Sequence, residues 1–185
     1  RYWFPKKNVN ASPSLVRRPD GEHPLLGPRL HSPLAEIQFA SRIGPDQPAY
    51  LADHVVTGHR VVPAAAYLEM ALSAARAVDG MPAAVKAVAF LRPCIFDEPR
   101  LLQCVLRGGK DAWTFAIHSR AEASDESRAE TSNATEWMLH ATGEICADAR
   151  EENRQEDLNQ IRKRCADELD AAAFYRAFAE GDVHF

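Results

Sequence analysis

The chain has 185 residues, 46% of them hydrophobic and 26% charged, with a formal net charge of −4. That length suits one domain with tails and can bury a core. The charge balance, with Arg162-Lys163-Arg164 as the densest basic run, argues against nucleic acid, which needs a concentrated basic face. No apolar run reaches membrane-spanning length, and nothing points to a membrane surface.

In chain order, residues 1–33 carry Pro5, Pro13, Pro19, Pro24, Pro28 and Pro33. Such spacing forbids a helix and predicts an extended segment over a surface, with Tyr2, Trp3 and Phe4 needing cover. Residues 34–43 alternate loosely as a strand, and Ala49 to His54 reads as a short extended piece. Pro63 then opens a helix to about Val78, ended by Gly80 and Pro82. Its only polar side chains are Glu69, Ser73 and Arg76, a narrow wet stripe on a helix that must otherwise be wrapped.

Strand patterns follow. Ala84 to Phe96 is an apolar run broken by Pro93. In Leu101 to Arg107, Leu102, Cys104 and Leu106 share one face. Gly108-Gly109-Lys110-Asp111 signals a hairpin. Trp113, Phe115 and Ile117 then alternate with Thr114, Ala116 and His118. Residues 121–134 read as a mobile loop. Leu139, Ala141, Gly143 and Ile145 alternate with His140, Thr142 and Glu144, which predicts that His118 and His140 face solvent or a partner sheet. Residues 148–164 read as a linker or solvated helix, and Glu168 to Ala179 as an amphipathic helix closed by Gly181. One long buried helix with several antiparallel strands predicts an α+β hotdog fold, a curved sheet around a central helix.

Cys94, Cys104, Cys146 and Cys165 form no CxxC pair, and reduced thiols in a cytoplasmic protein are expected. His54 is the leading candidate for chemistry. It stands just before a turn through Gly58 and the helix opened by Pro63. An imidazole there can take and return a proton at neutral pH. The open amides of the helix start can polarise a thioester carbonyl. His54 and His59 are five apart, lack a third ligand and are not expected to bind metal. Asp53, its neighbour on an extended piece, would point to the opposite face.

His54 to Pro63 spells HxxxGxxxxP, which resembles the signature of dehydratase domains from modular polyketide synthases. His23-Pro24-Leu25-Leu26-Gly27 resembles the HPLLG opening of those domains, Tyr50 to His54 their YLxDH, and Tyr67 to Ala71 the start of their hotdog helix. Arg1 to Phe4 resembles the end of the linker after an acyltransferase domain. Ala64 departs from the Gly that many relatives have there.

The resemblance implies two fused hotdogs, of which this chain is expected to be the first. It further implies a linker remnant over 1–20, the first hotdog over 21–148, and an inter-hotdog linker with the start of the second over 149–185. His54 would act as general base, and Gly58 and Pro63 would shape the turn that aims it. Gly58 would also be a candidate amide donor to the substrate carbonyl. The acid, an aspartate of a DxxxQ/H motif, is not matched by Asp170 or Asp182. No tightly bound cofactor is implied, because substrate arrives on the phosphopantetheine arm of an acyl carrier protein. The implied partners are that carrier protein, the second hotdog, neighbouring synthase domains and a second copy as a homodimer. The alternatives are a cyclising or double-bond-shifting variant, or a non-catalytic structural hotdog.

Overall fold

The computed structural model describes residues 23–80, 83–109, 112–122, 136–147, 157–165, 169–181 and 183–184. The expectations for residues 1–20, for Tyr2, Trp3 and Phe4, and for most of the 121–134 loop lie outside the described residues.

Pro63 caps a helix, α1, over Ala64–Asp79, and Gly80 ends it in the left-handed conformation at φ 65°, as the sequence predicts. Around it lies a five-stranded antiparallel sheet in the order β1-β5-β6-β7-β4. Its strands are β1 (Ile37–Ile43), β4 (Ala83–Phe90), β5 (Arg100–Gly109), β6 (Ala112–Ala121) and β7 (Met138–Ala147). Between β1 and α1 lies a small hairpin, β2 (Val55–Val56) and β3 (His59–Arg60), to which β8 (Val183–His184) adds a third strand. Two further helices, α2 (Leu158–Arg164) and α3 (Ala171–Glu180), are capped by Asp157 and Asp170. No side chain of either helix is buried, although α3 carries Phe174, Tyr175 and Phe178.

The core forms where the period-two faces of the sheet meet the apolar face of α1. Leu102, Cys104 and Leu106 of β5 are fully buried, as are Ile117 of β6 and Met70, Ala71 and Ala74 of α1. Alanines on the helix allow the sheet to approach closely, and the dry contact supplies the hydrophobic stabilisation. Burial drives the Cys104 thiol up to about 12, so this cysteine is an inert core residue. The helix end is tied to the sheet by Trp113 Nε1, which donates to Asp79 Oδ2 at 2.7 Å. This is the expected hotdog arrangement.

Three local readings are corrected. Residues 49–51 are a 3-10 turn rather than an extended piece. Leu51 N donates to Pro48 O, Ala52 N to Ala49 O and His54 N to Leu51 O, so the backbone winds up to His54 and buries Leu51. The polar stripe of α1 is not simply wet: the segment His23–Leu26 covers part of it, and Ser73 is buried. Finally, His140 points inward. The β6–β7 register slips between Ile117 and His118, leaving His140 as an extra residue, so that it and Ala141 are both buried. A bulge of this kind breaks strict alternation.

Candidate active site

The residues preceding α1 are shaped by one tight turn. Val56 and His59 pair across the two-residue loop Thr57-Gly58, whose φ angles are 50° and 77°. Positive φ at both central positions is the I′ geometry that matches strand twist, and glycine adopts it without strain. The turn reverses the chain so that Val61 returns beside His54. Val61 N donates to His54 O at 3.1 Å, and His54 Nδ1 lies 2.8 Å from Val61 O.

That last contact assigns the tautomer. A carbonyl oxygen can only accept, so Nδ1 carries the proton and donates it. In the neutral ring Nε2 is then the basic nitrogen. His54 is half-buried and lines a cavity of about 380 Å³. The walls come from three places: His23 and Leu25 of the N-terminal segment, Tyr50, Leu51 and His54 around the 3-10 turn, and Pro63, Ala65, Ala66 and Glu69 of the helix start. No side chain caps α1 at Pro63; Ala66 N donates to Pro63 O at 2.9 Å, and Pro63, Ala65 and Ala66 of this first turn line the cavity. Amides at a helix start favour developing negative charge.

Two wall residues were not singled out as functional from the sequence. His23 Nδ1 accepts from Leu25 N and Leu26 N, both at 3.3 Å. Its Nε2–H therefore donates to Glu69 Oε1 at 3.1 Å. Ser73 Oγ donates to the same oxygen at 2.9 Å. This latch fastens the N-terminal segment across the helix, and Gly27 completes it, because a Cβ there would run into the carbonyl of Ala40. Both ring nitrogens of His23 are thus engaged in holding the wall.

Of the predicted site residues, His54 and Pro63 meet at the cavity, whereas Gly58 sits at the exposed tip of the hairpin and is not a wall residue. Asp53 is exposed and also outside the walls, through the turn geometry rather than strand alternation. His59 donates from Nδ1 to Asp97 Oδ2 at 2.7 Å and forms no pair with His54. Among the described residues no group of His, Cys, Asp and Glu is placed to hold a metal ion. Two other hollows, of about 720 and 320 Å³, share no wall residue with the His54 cavity.

A second histidine centre lies away from the cavity walls. His140 Nδ1–H donates to Arg92 O at 3.1 Å, and its Nε2 accepts from Ser119 Oγ at 2.7 Å. Arg100 Nε donates to Ser119 Oγ at 3.0 Å, and the Tyr67 ring stacks on the imidazole at 6.3 Å. Burial, chiefly, holds His140 below its ordinary range, in keeping with an Nε2 that accepts from Ser119.

A sheet packed on a helix, with a histidine-bearing turn at the helix start, defines the class as a hotdog protein. Comparison with known proteins narrows it. The polyketide synthase dehydratase domain family matches residues 23–120, more than half of the chain. The chain belongs to that family, as its N-terminal hotdog.

It is 32% identical to the polyketide synthase ThaG of Burkholderia thailandensis, over 100% of this chain and 3% of ThaG. Against GfsE of Streptomyces halstedii it is 33% identical, over 97% of this chain and 5% of that protein. The dehydratase domain from the CurF module of curacin polyketide synthase superposes with a TM-score of 0.74 at 26% identity. That match covers 89% of this chain and 58% of the CurF domain. The CurK dehydratase gives 0.73 at 26% identity, covering 89% and 56%. Inactive CurK variants replace a histidine with phenylalanine or an aspartate with asparagine. The chain therefore spans a few per cent of the synthases and a little over half of the solved dehydratase domains.

Proposed function

We propose that this chain supplies the base of a dehydratase that removes water from a 3-hydroxyacyl thioester to give a 2-enoyl thioester, with His54 as that base. The observation that carries the reading is the His54–Val61 hydrogen bond at the cavity wall. It directs the basic character of a neutral imidazole to Nε2. His23, the other histidine of the wall, has its lone pair on backbone amides and its N–H on Glu69. The inactivity of the CurK dehydratase with a histidine replaced agrees with a histidine-dependent step.

In the proposed reaction Nε2 of His54 takes the proton from the carbon next to the thioester. Amides at the start of α1 stabilise the enolate-like charge on the thioester oxygen. The bond from C3 to its hydroxyl then breaks, the C2–C3 double bond forms, and an acid protonates the leaving oxygen so that it departs as water. We assign that acid to the aspartate of the family's second hotdog. Gly58 acts by setting the turn that returns Val61 to His54, and remains a candidate amide donor. Pro63 ends the approach and starts the helix.

Substrate is taken to arrive on the phosphopantetheine arm of an acyl carrier protein, in a cytosolic synthase that is a homodimer. No tightly bound cofactor is invoked. Among the described residues no helix is long and apolar enough to cross a membrane. Residues 21–148 are taken as the first hotdog, 1–20 as a linker remnant, and 149–185 as the inter-hotdog linker with the start of the second hotdog.

The test is His54→Ala in the full polypeptide, given a 3-hydroxyacyl carrier-protein substrate and read by mass spectrometry. Loss of the 18-dalton step, roughly 10²–10⁴-fold slower, supports the reading. Water loss at the normal rate refutes it.

A further inference from the structure

The carbonyl that orients His54 is that of Val61, the residue just after β3, and a hairpin of two-residue strands is marginal unaided. The segment from Cys94 to Asp97 lies along its outer side. Val62 N donates to Cys94 O and Phe96 N to Arg60 O, each at 3.0 Å. Val61 and Ile95 form an antiparallel bridge between these bonds. The next residue, Asp97, turns its carboxylate back onto β3. Its Oδ1 accepts from Arg60 N at 2.9 Å and its Oδ2 from His59 Nδ1 at 2.7 Å.

Both contacts land on the two residues immediately before Val61, whose carbonyl receives the His54 proton. The physical path is short: the Asp97 carboxylate, the Arg60 amide, the Val61 carbonyl, the His54 ring. The backbone bonds to residues 94–96 set the register of Val61. Asp97 fixes the end of β3 nearest the Thr57-Gly58 turn, beyond the backbone bonds that residues 94–96 make. Its carboxyl is held below its ordinary value, first by the His59 bond and then by the Arg60 amide. At neutral pH the side chain is therefore a carboxylate. Two residues before this segment, His140 donates to the carbonyl of Arg92.

Resting on the reading of His54 as base, we propose that Asp97 is a positioning residue for it, acting through Arg60 and Val61 and touching no substrate. A positioning role separates from a merely structural one by what happens to the His54 ring. Removing the carboxylate loosens the Val61 carbonyl, and the ring proton then redistributes between Nδ1 and Nε2.

The experiment compares Asp97→Leu with Asp97→Asn in the full polypeptide, labelled with ¹⁵N-histidine. Asparagine keeps an acceptor oxygen for Arg60 N, whereas leucine keeps none. In the unchanged protein the His54 nitrogens should report the Nδ1–H form. In Asp97→Leu a second population with the proton on Nε2 should emerge, and kcat for water loss should fall roughly tenfold with KM changed less than about twofold. Asp97→Asn should restore both readouts to near their original values. An unshifted His54 spectrum with full kcat in Asp97→Leu would overturn the proposal, as would equal losses in the two variants. The nitrogen spectrum reads positioning without turnover. An Asp97→Leu shift in a protein whose His54→Ala variant stays fully active would thus sink the assignment of the base and leave the brace standing.

Discussion

His54 and His140 hold their rings in the same way and live in opposite surroundings. Each donates Nδ1–H to a backbone carbonyl, Val61 O at 2.8 Å and Arg92 O at 3.1 Å. Each therefore has Nε2 as its basic nitrogen. In His140 that nitrogen is spent on Ser119 inside the core, where the two residues are 1% and 0% exposed. In His54 the ring lines a cavity. The supporting structure differs as much: long strands and a stacked tyrosine for one, a two-residue hairpin and a braced loop for the other. Tautomer alone does not make a base: the two rings share one kind of bond to a backbone carbonyl, and what separates them is a core serine beside one and a cavity beside the other.

Exchanging the two losses breaks or upholds this contrast most strongly. His54→Ala should lower the rate of water loss by roughly 10²–10⁴-fold while moving the midpoint of urea unfolding little. His140→Ala should do the reverse. It strips Ser119 of a buried acceptor and opens a void, costing about 3 kcal/mol by chemical denaturation. A His140→Ala protein that unfolds at the unchanged urea concentration would remove the distinction.

A smaller effect is expected at the hairpin tip. Gly58→Val places a β-branched residue at φ 77°, costing about 1–2 kcal/mol locally. Because the turn feeds Val61, turnover should fall more than global stability does. Equal turnover in Gly58→Val would separate the turn from the base.

The gentlest probe is pH. Burial keeps the folded imidazoles of His140 and His118 below their ordinary value of 6.5. As pH falls below 6.5 the unfolded chain takes up protons that the folded one refuses. Stability is therefore full above that pH and declines beneath it. Denaturation midpoints between pH 7 and 5 should show the decline, and His140→Gln should flatten part of it.

Much of this was legible beforehand because it rests on period and punctuation. Pro63 and Gly80 bound α1, and the alternation of Leu102, Cys104 and Leu106 marks the core face of β5. His54 stood out less through its spacing to Gly58 and Pro63 than through the several motifs that together resemble the dehydratase family. What escaped depends on register and distance along the chain. His140 turned inward because of a bulge opposite Ile117 and His118, and nothing in the local residues announces one. His23 and Glu69 meet across 46 positions. The available sign was a lone glutamate on a wrapped helix with Ser73 one turn on, since a carboxylate there needs partners. The 3-10 turn before His54 mimics an extended run because only Leu51 is buried in it.

The claim at the centre is that His54 moves the proton on the carbon beside the thioester, and running the reaction backwards in heavy water tests it most directly. Given a 2-enoyl carrier-protein thioester in D₂O, the unchanged full polypeptide should form a 3-hydroxyacyl product with one deuterium at C2, seen by mass spectrometry. His54→Ala should form almost none. Deuterium entering C2 at the normal rate in that variant would contradict the account.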